Sequence, residues 1–84
     1  MTATSREQRL IEWLRHRAER AYAHAVTAER LARALHGRDP SYYPALLATR
    51  NARIAAVDAA RALEISDDRL SELAEAENLS ATPD

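Results

Sequence analysis

Cysteine, lysine and phenylalanine are all absent from this 84-residue chain, and glycine occurs once. Without Cys there is no disulfide framework, no thiolate metal site and no cysteine nucleophile, a composition that fits a reducing cytosol. Without Lys there is no amine nucleophile, and all 12 basic residues are arginine, whose guanidinium stays charged and differs chemically from an ammonium. One Gly excludes a Gly-rich phosphate loop and a Gly-x-Ser-x-Gly elbow. No apolar run approaches the ~18 to 20 residues that a membrane span requires, and Met1–Ser5 leads straight into charge. The expectation is a cytoplasmic chain with no membrane association.

Alanine dominates what is present. Nineteen residues are Ala, against ten Leu, three Ile, two Val, one Trp and three Tyr, so large side chains for a core are scarce. A chain this short buries only a little over ~60% of its unfolded surface. One domain is the limit, and association with another chain is expected to complete its core.

Gly37-Arg38-Asp39-Pro40-Ser41-Tyr42-Tyr43-Pro44 is the one clear interior breaker. Thr4 or Ser5 suits an N-cap, which predicts a helix over 5–36 with Gly37 as its left-handed C′ residue and a turn at 37–41. A second helix is predicted over 42–78, opened by Ser41 with Pro44 in its first turn, and a disordered tail over 79–84. Ser66 followed by Asp67 and Asp68 is also a fresh N-cap, so the second helix has a possible break near 66 and a short third helix from Asp67.

Heptad spacing in the first helix selects Ile11, Leu14, Ala18, Ala21, Ala25, Ala28, Ala32 and Leu35, and in the second Ala45, Ala48, Ala52, Ala55, Ala59 and Ala62. Folding at Asp39-Pro40 sets these two stripes face to face and antiparallel, with residue i opposite a residue near 79 minus i. The predicted fold is therefore an all-α antiparallel helical hairpin with an alanine-rich coiled-coil seam. Such a seam leaves Tyr43, Leu46, Leu47, Ile54, Val57 and Ile65 on the back of the second helix, with Arg50 and Arg61 beside them. Burying five large side chains at ~1.5 to 3 kcal/mol each would rival the whole stability of a small domain. These eight residues are the expected interface of a homodimer, a four-helix bundle, or the seat of an unidentified protein partner.

Charge is uneven along the chain: residues 1–38 hold eight Arg and four Glu, whereas residues 65–84 hold Arg69 and six acids. Mutual neutralisation along the hairpin accounts for this, helped by intrahelical pairs such as Glu12 with His16 and Glu29 with Arg33. The competing reading is an anion or nucleic-acid face on the first helix, formed by Arg9, Arg15, His16, Arg20, Arg30 and Arg33 with Thr27 among them.

Little else carries chemistry. His16, His24 and His36 are eight and twelve residues apart, unlike ligands on one helical face, so no metal or other cofactor is expected. Leu70–Ser80 has the spacing of the first helix and turn of a helix-turn-helix, but its acidity marks an amphipathic helix end. An anion-binding helical-dimer enzyme would use Arg50 and Arg61, for which interfacial pairing with Asp58 or Glu64 is the simpler role. The chain thus reads as a non-enzymatic protein-protein interaction module, a small regulator, adaptor or inhibitor acting as a homodimer.

Overall fold

The structure is a computed structural model that describes residues 2–81, with side chains for residues 5–78. It is all-helical: α1 spans Thr2–His36, a 3-10 turn Pro40–Tyr42, α2 Tyr43–Ala62 and α3 Asp67–Ala81. At ~1.5 Å per residue α1 is about 52 Å long and sets the long axis of a 57 × 27 × 17 Å molecule. Of the tail expected at 79–84, residues 79–81 continue α3 and residues 82–84 lie outside the described residues.

Proline, not glycine, stops α1. Pro40 holds Asp39 extended at φ −150°, ψ 115°, and the helix cannot pass it. The Gly37 and Asp39 amides still donate to the Arg33 and Leu35 carbonyls. Gly37 does not take a left-handed conformation, and a Cβ there would meet its nearest atoms at an ordinary 3.5 Å, so its expected role as a C′ residue is corrected. The Asp39 carboxylate accepts from the Ser41 amide at 2.9 Å and caps the 3-10 turn; that bond holds its pKa below the usual carboxylate range.

The segment 42–78 is not one helix: it breaks near 66, the alternative its Ser66-Asp67-Asp68 cap allowed, and α3 starts at Asp67. Glu64 adopts φ 62°, the Glu64 amide donates to the Arg61 carbonyl and the Ile65 amide to the Ala60 carbonyl, which together make a Schellman motif. Its usual apolar contact is present, since Ile65 and Ala60 share the core cluster. Ser66 then accepts the Arg69 amide at 3.1 Å and opens α3 as its N-cap, with Asp67 and Asp68 in the first turn where the helix dipole favours acids.

The α1–α2 pair is antiparallel in the register expected from the fold-back, with Glu64 near Arg15 and Arg50 near Glu29. The seam itself is rotated. Ala45, Ala48, Ala52, Ala55, Ala59 and Ala62 are all exposed, so the two alanine stripes do not meet. The residues turned inward on α2 are Leu46, Thr49, Arg53, Ala56, Ala60 and Leu63, one position later along the chain. On α1 they are Arg15, Ala18, Tyr22, Ala25, Glu29, Ala32 and His36. The physical reason is size: this phase buries Leu46 and half-buries Tyr22 and Leu63, removing more apolar surface than facing methyl groups would.

Beyond the reversal, α3 runs back parallel to α1. Arg69 pairs with Glu19 and Thr27 donates to Glu77, a constant offset of 50 residues. Its Leu70 and Leu73 gather with Tyr22, Val57, Ala60 and Ile65 into the core cluster. The Arg69 guanidinium meets both Glu19 oxygens, at 3.0 and 3.1 Å, and those bonds lower the Glu19 pKa from its ordinary value.

Two expectations follow. Glu64→Gly should raise stability by about 0.5 to 1 kcal/mol, because it relieves left-handed strain and loses only an exposed ion pair, seen as a rise of several degrees in the thermal midpoint. Because the folded Glu19 pKa lies below its unfolded value of ~4.3, its contribution is complete above that pH and is lost as pH falls through the folded pKa. A pH series of urea melts should show this acid limb flattened in Glu19→Gln.

Candidate functional site

The surface expected for a partner is divided by the fold. Leu46 and Ile65 are buried within the chain, and Val57 and Arg50 are half-buried, so these four do not offer an exterior surface. Tyr43, Leu47, Ile54 and Arg61 remain exposed along the flank of α2 that faces α3. Tyr43 rests near His36 with ring centroids 5.6 Å apart, and Arg61 lies 3.5 Å from Asp67 at the start of α3.

Arg50 instead belongs to a charge cluster inside the hairpin. Glu29 is only 5% exposed and meets Arg33 at 3.2 Å, Arg50 at 3.7 Å and Arg53 through Nε. One shielded carboxylate therefore ties the middle of α1 to the middle of α2. Each guanidinium keeps part of its surface in water, which limits its desolvation cost. Sequence periodicity misses this seam because four of its members are charged.

The expected anion face is redrawn in the same way. Arg15 is taken up by the Leu63 carbonyl at 2.8 Å and by Glu64, Arg33 by Glu29, and Thr27 by Glu77. Arg30 is half-buried, with its Nη2 shielded and without a hydrogen-bond partner among the described residues. Of the expected group Arg9, His16, Arg20 and Arg33 are exposed, and of these Arg33 is engaged by Glu29. Trp13, Arg17, Ala21 and His24 join His16 and Arg20 in lining a shallow, open trough of about 480 Å³ on α1. Arg17 lies over the Trp13 ring, 4.9 Å from its centroid. Marking the positions of the acids around α1, in place of the apolar residues, would have found this face.

A second uncovered surface lies across the hairpin from α3. Glu19, Tyr22 and Thr27 mark the α3 side of α1, and Arg61 marks that side of α2. At about 100° per residue Leu10, Ala21, Ala28 and Leu35 lie roughly half a turn from Glu19, and Ala45, Ala52 and Ala59 half a turn from Arg61. The small residues of both helices thus share one open side, with Leu10 and Leu14 at one end and Leu35 at the other, all three exposed. Among the described residues no group of three or more His, Asp or Glu could hold a metal ion.

Glu29→Gln should cost about 2 to 3 kcal/mol, since it strands three neighbouring guanidinium groups, and should lower the thermal midpoint by 10 °C or more. Calorimetry of the two proteins side by side checks this. Set against known protein families, characterised proteins and solved structures, the chain matches none.

Proposed function

We propose that the protein is a non-enzymatic interaction module, a small regulator, adaptor or inhibitor of another protein, that works as a helical homodimer. The observation that carries this reading is the open side of the α1–α2 hairpin opposite α3, shared by exposed Ala21 and half-buried Ala28 of α1 and exposed Ala45, Ala52 and Ala59 of α2. Small side chains let helix backbones approach toward the short end of the ~8 to 10 Å range, so two such sides pack as a four-helix bundle with each α3 outside.

Energetics support self-association. Among the described residues no large side chain is fully buried, while Leu10, Leu14 and Leu35 stand exposed at the rim of this side. A two-fold dimer covers six of these leucines. At roughly 1 kcal/mol for the remaining half of each, that supplies about 6 kcal/mol before the alanine methyls are counted. The flank bearing Tyr43, Leu47 and Ile54 stays outside this contact and is available to a different protein. The charge cluster around Glu29 sits within the hairpin and holds its two helices in register in either state.

Sedimentation equilibrium from 5 to 200 μM tests the reading. The wild-type chain should be dimeric, and Ala21→Glu combined with Ala52→Glu should shift it to monomer by tenfold or more in dissociation constant. Glu is a good helix former, so far-UV circular dichroism should hold. A wild-type monomer throughout, or a dimer indifferent to both glutamates, overturns the proposal. A dimer broken only by Ile54→Asp would move the interface to the α2 flank.

A further inference from the structure

The arginines of α1 fall into two populations. Arg15 and Arg33 are engaged with Glu64 and Glu29, whereas Arg6, Arg9, Arg17 and Arg20 form no ion pair among the described residues and are all exposed. At about 100° per residue these four, with Trp13, His16 and His24, fall within roughly 100° of arc on the side of α1 turned away from α2. Glu7, Glu12 and Glu19 lie a quarter-turn or more from the centre of that arc, and Glu19 is occupied by Arg69. From Arg6 to His24 the face runs for about 27 Å with cations and no acid.

We infer that this face binds single-stranded nucleic acid, with Arg6, Arg9, Arg17 and Arg20 along the phosphates and a base stacked on Trp13. Two features select this ligand over other polyanions. Arg17 covers one side of the Trp13 ring, and the indole is still 59% exposed, leaving a flat aromatic surface beside the cations. A phosphodiester strand with splayed bases offers both the charge and the ring that such a pairing takes up. An acidic peptide supplies carboxylates without a base, and a duplex keeps its bases stacked inside. The trough between Trp13, Arg17, Arg20 and His24 gives the strand a concave seat, and His16 and His24 add ring N–H donors along it. The inference does not rest on the homodimer, because every contact comes from α1 of one chain, with Ala21 lining both the trough and the alanine side.

Trp13 is the only tryptophan in the chain, so its fluorescence reports on this face alone. The full chain is titrated in 50 mM NaCl with twelve-nucleotide oligouridylate and oligothymidylate, and separately with a twelve-base-pair duplex, polyphosphate and polyglutamate. Both single strands should quench Trp13 saturably. The plot of log K against log salt should have a slope of about −3, as four arginines neutralise about four phosphates. Arg9→Gln with Arg20→Gln should halve that slope. Trp13→Leu, read by anisotropy of a labelled oligonucleotide, should weaken binding at least fivefold, and Arg61→Gln should leave it within twofold. Absence of saturable binding, equal affinity for duplex or polyphosphate, tighter binding of polyglutamate, or an unaltered Trp13→Leu affinity would each overturn the assignment.

Discussion

The left-handed residue Glu64 decides which surfaces this molecule keeps and which it covers. Placing a non-glycine residue at φ 62° costs about 1 to 2 kcal/mol, and the two Schellman hydrogen bonds with the Ile65–Ala60 contact offset it. The chain reverses there and lays α3 along the Glu19–Tyr22–Thr27 side of α1. Had the helix run on through Ser66, Leu70 and Leu73 would have continued down the hairpin, and Tyr22 and Val57 would have lost their cover. One side of the hairpin is consequently filled, and the other is left with its small residues outward.

That asymmetry explains how much of the fold could be read in advance. The all-helical class, the reversal at Asp39-Pro40 and the antiparallel register rest on backbone chemistry: proline removes a donor and fixes a dihedral wherever it occurs. The rotational phase of the helices rests on packing, and here the apolar pattern points the wrong way. Alanine recurs at heptad spacing on α2 and serves equally as a helix former in water and as a close-packing residue, so its period does not say which face is inside. The true seam is masked because Arg15, Glu29, Arg50 and Arg53 occupy it and pair across it. A filter for apolar residues passes over a seam held partly by charge.

The same masking affected the two candidate surfaces. Leu46, Val57 and Ile65 look like one outward stripe, but the rotated seam turns Leu46 toward α1, and Val57 and Ile65 gain cover from α3. Arg15 and Arg33 look like members of a basic patch until their acceptors are known, Leu63 and Glu64 for one and Glu29 for the other. Neither fact lies in local sequence. The arrangement of α1 acids around the helix does, and it separates the outward arginines without any tertiary information.

The division of arginine labour has a consequence for how the two proposed surfaces can coexist. Glu29 draws three guanidinium groups inward and Glu19 draws Arg69, so the acids of the middle of α1 are spent on cohesion. Arg6, Arg9, Arg17 and Arg20 are left without local compensation on a chain whose net charge is only −1, which makes the molecule strongly polarised. Such a field steers an anion to the back of α1 and away from the acid-rich helix α3. The alanine side lies across the hairpin from α3 and adjoins the cationic arc on α1, with Arg17 at their shared border. Two copies that meet there keep Arg9 and Arg20 outward, while Arg17 and Ala21 stand at the rim of the contact, where the two proposed surfaces touch.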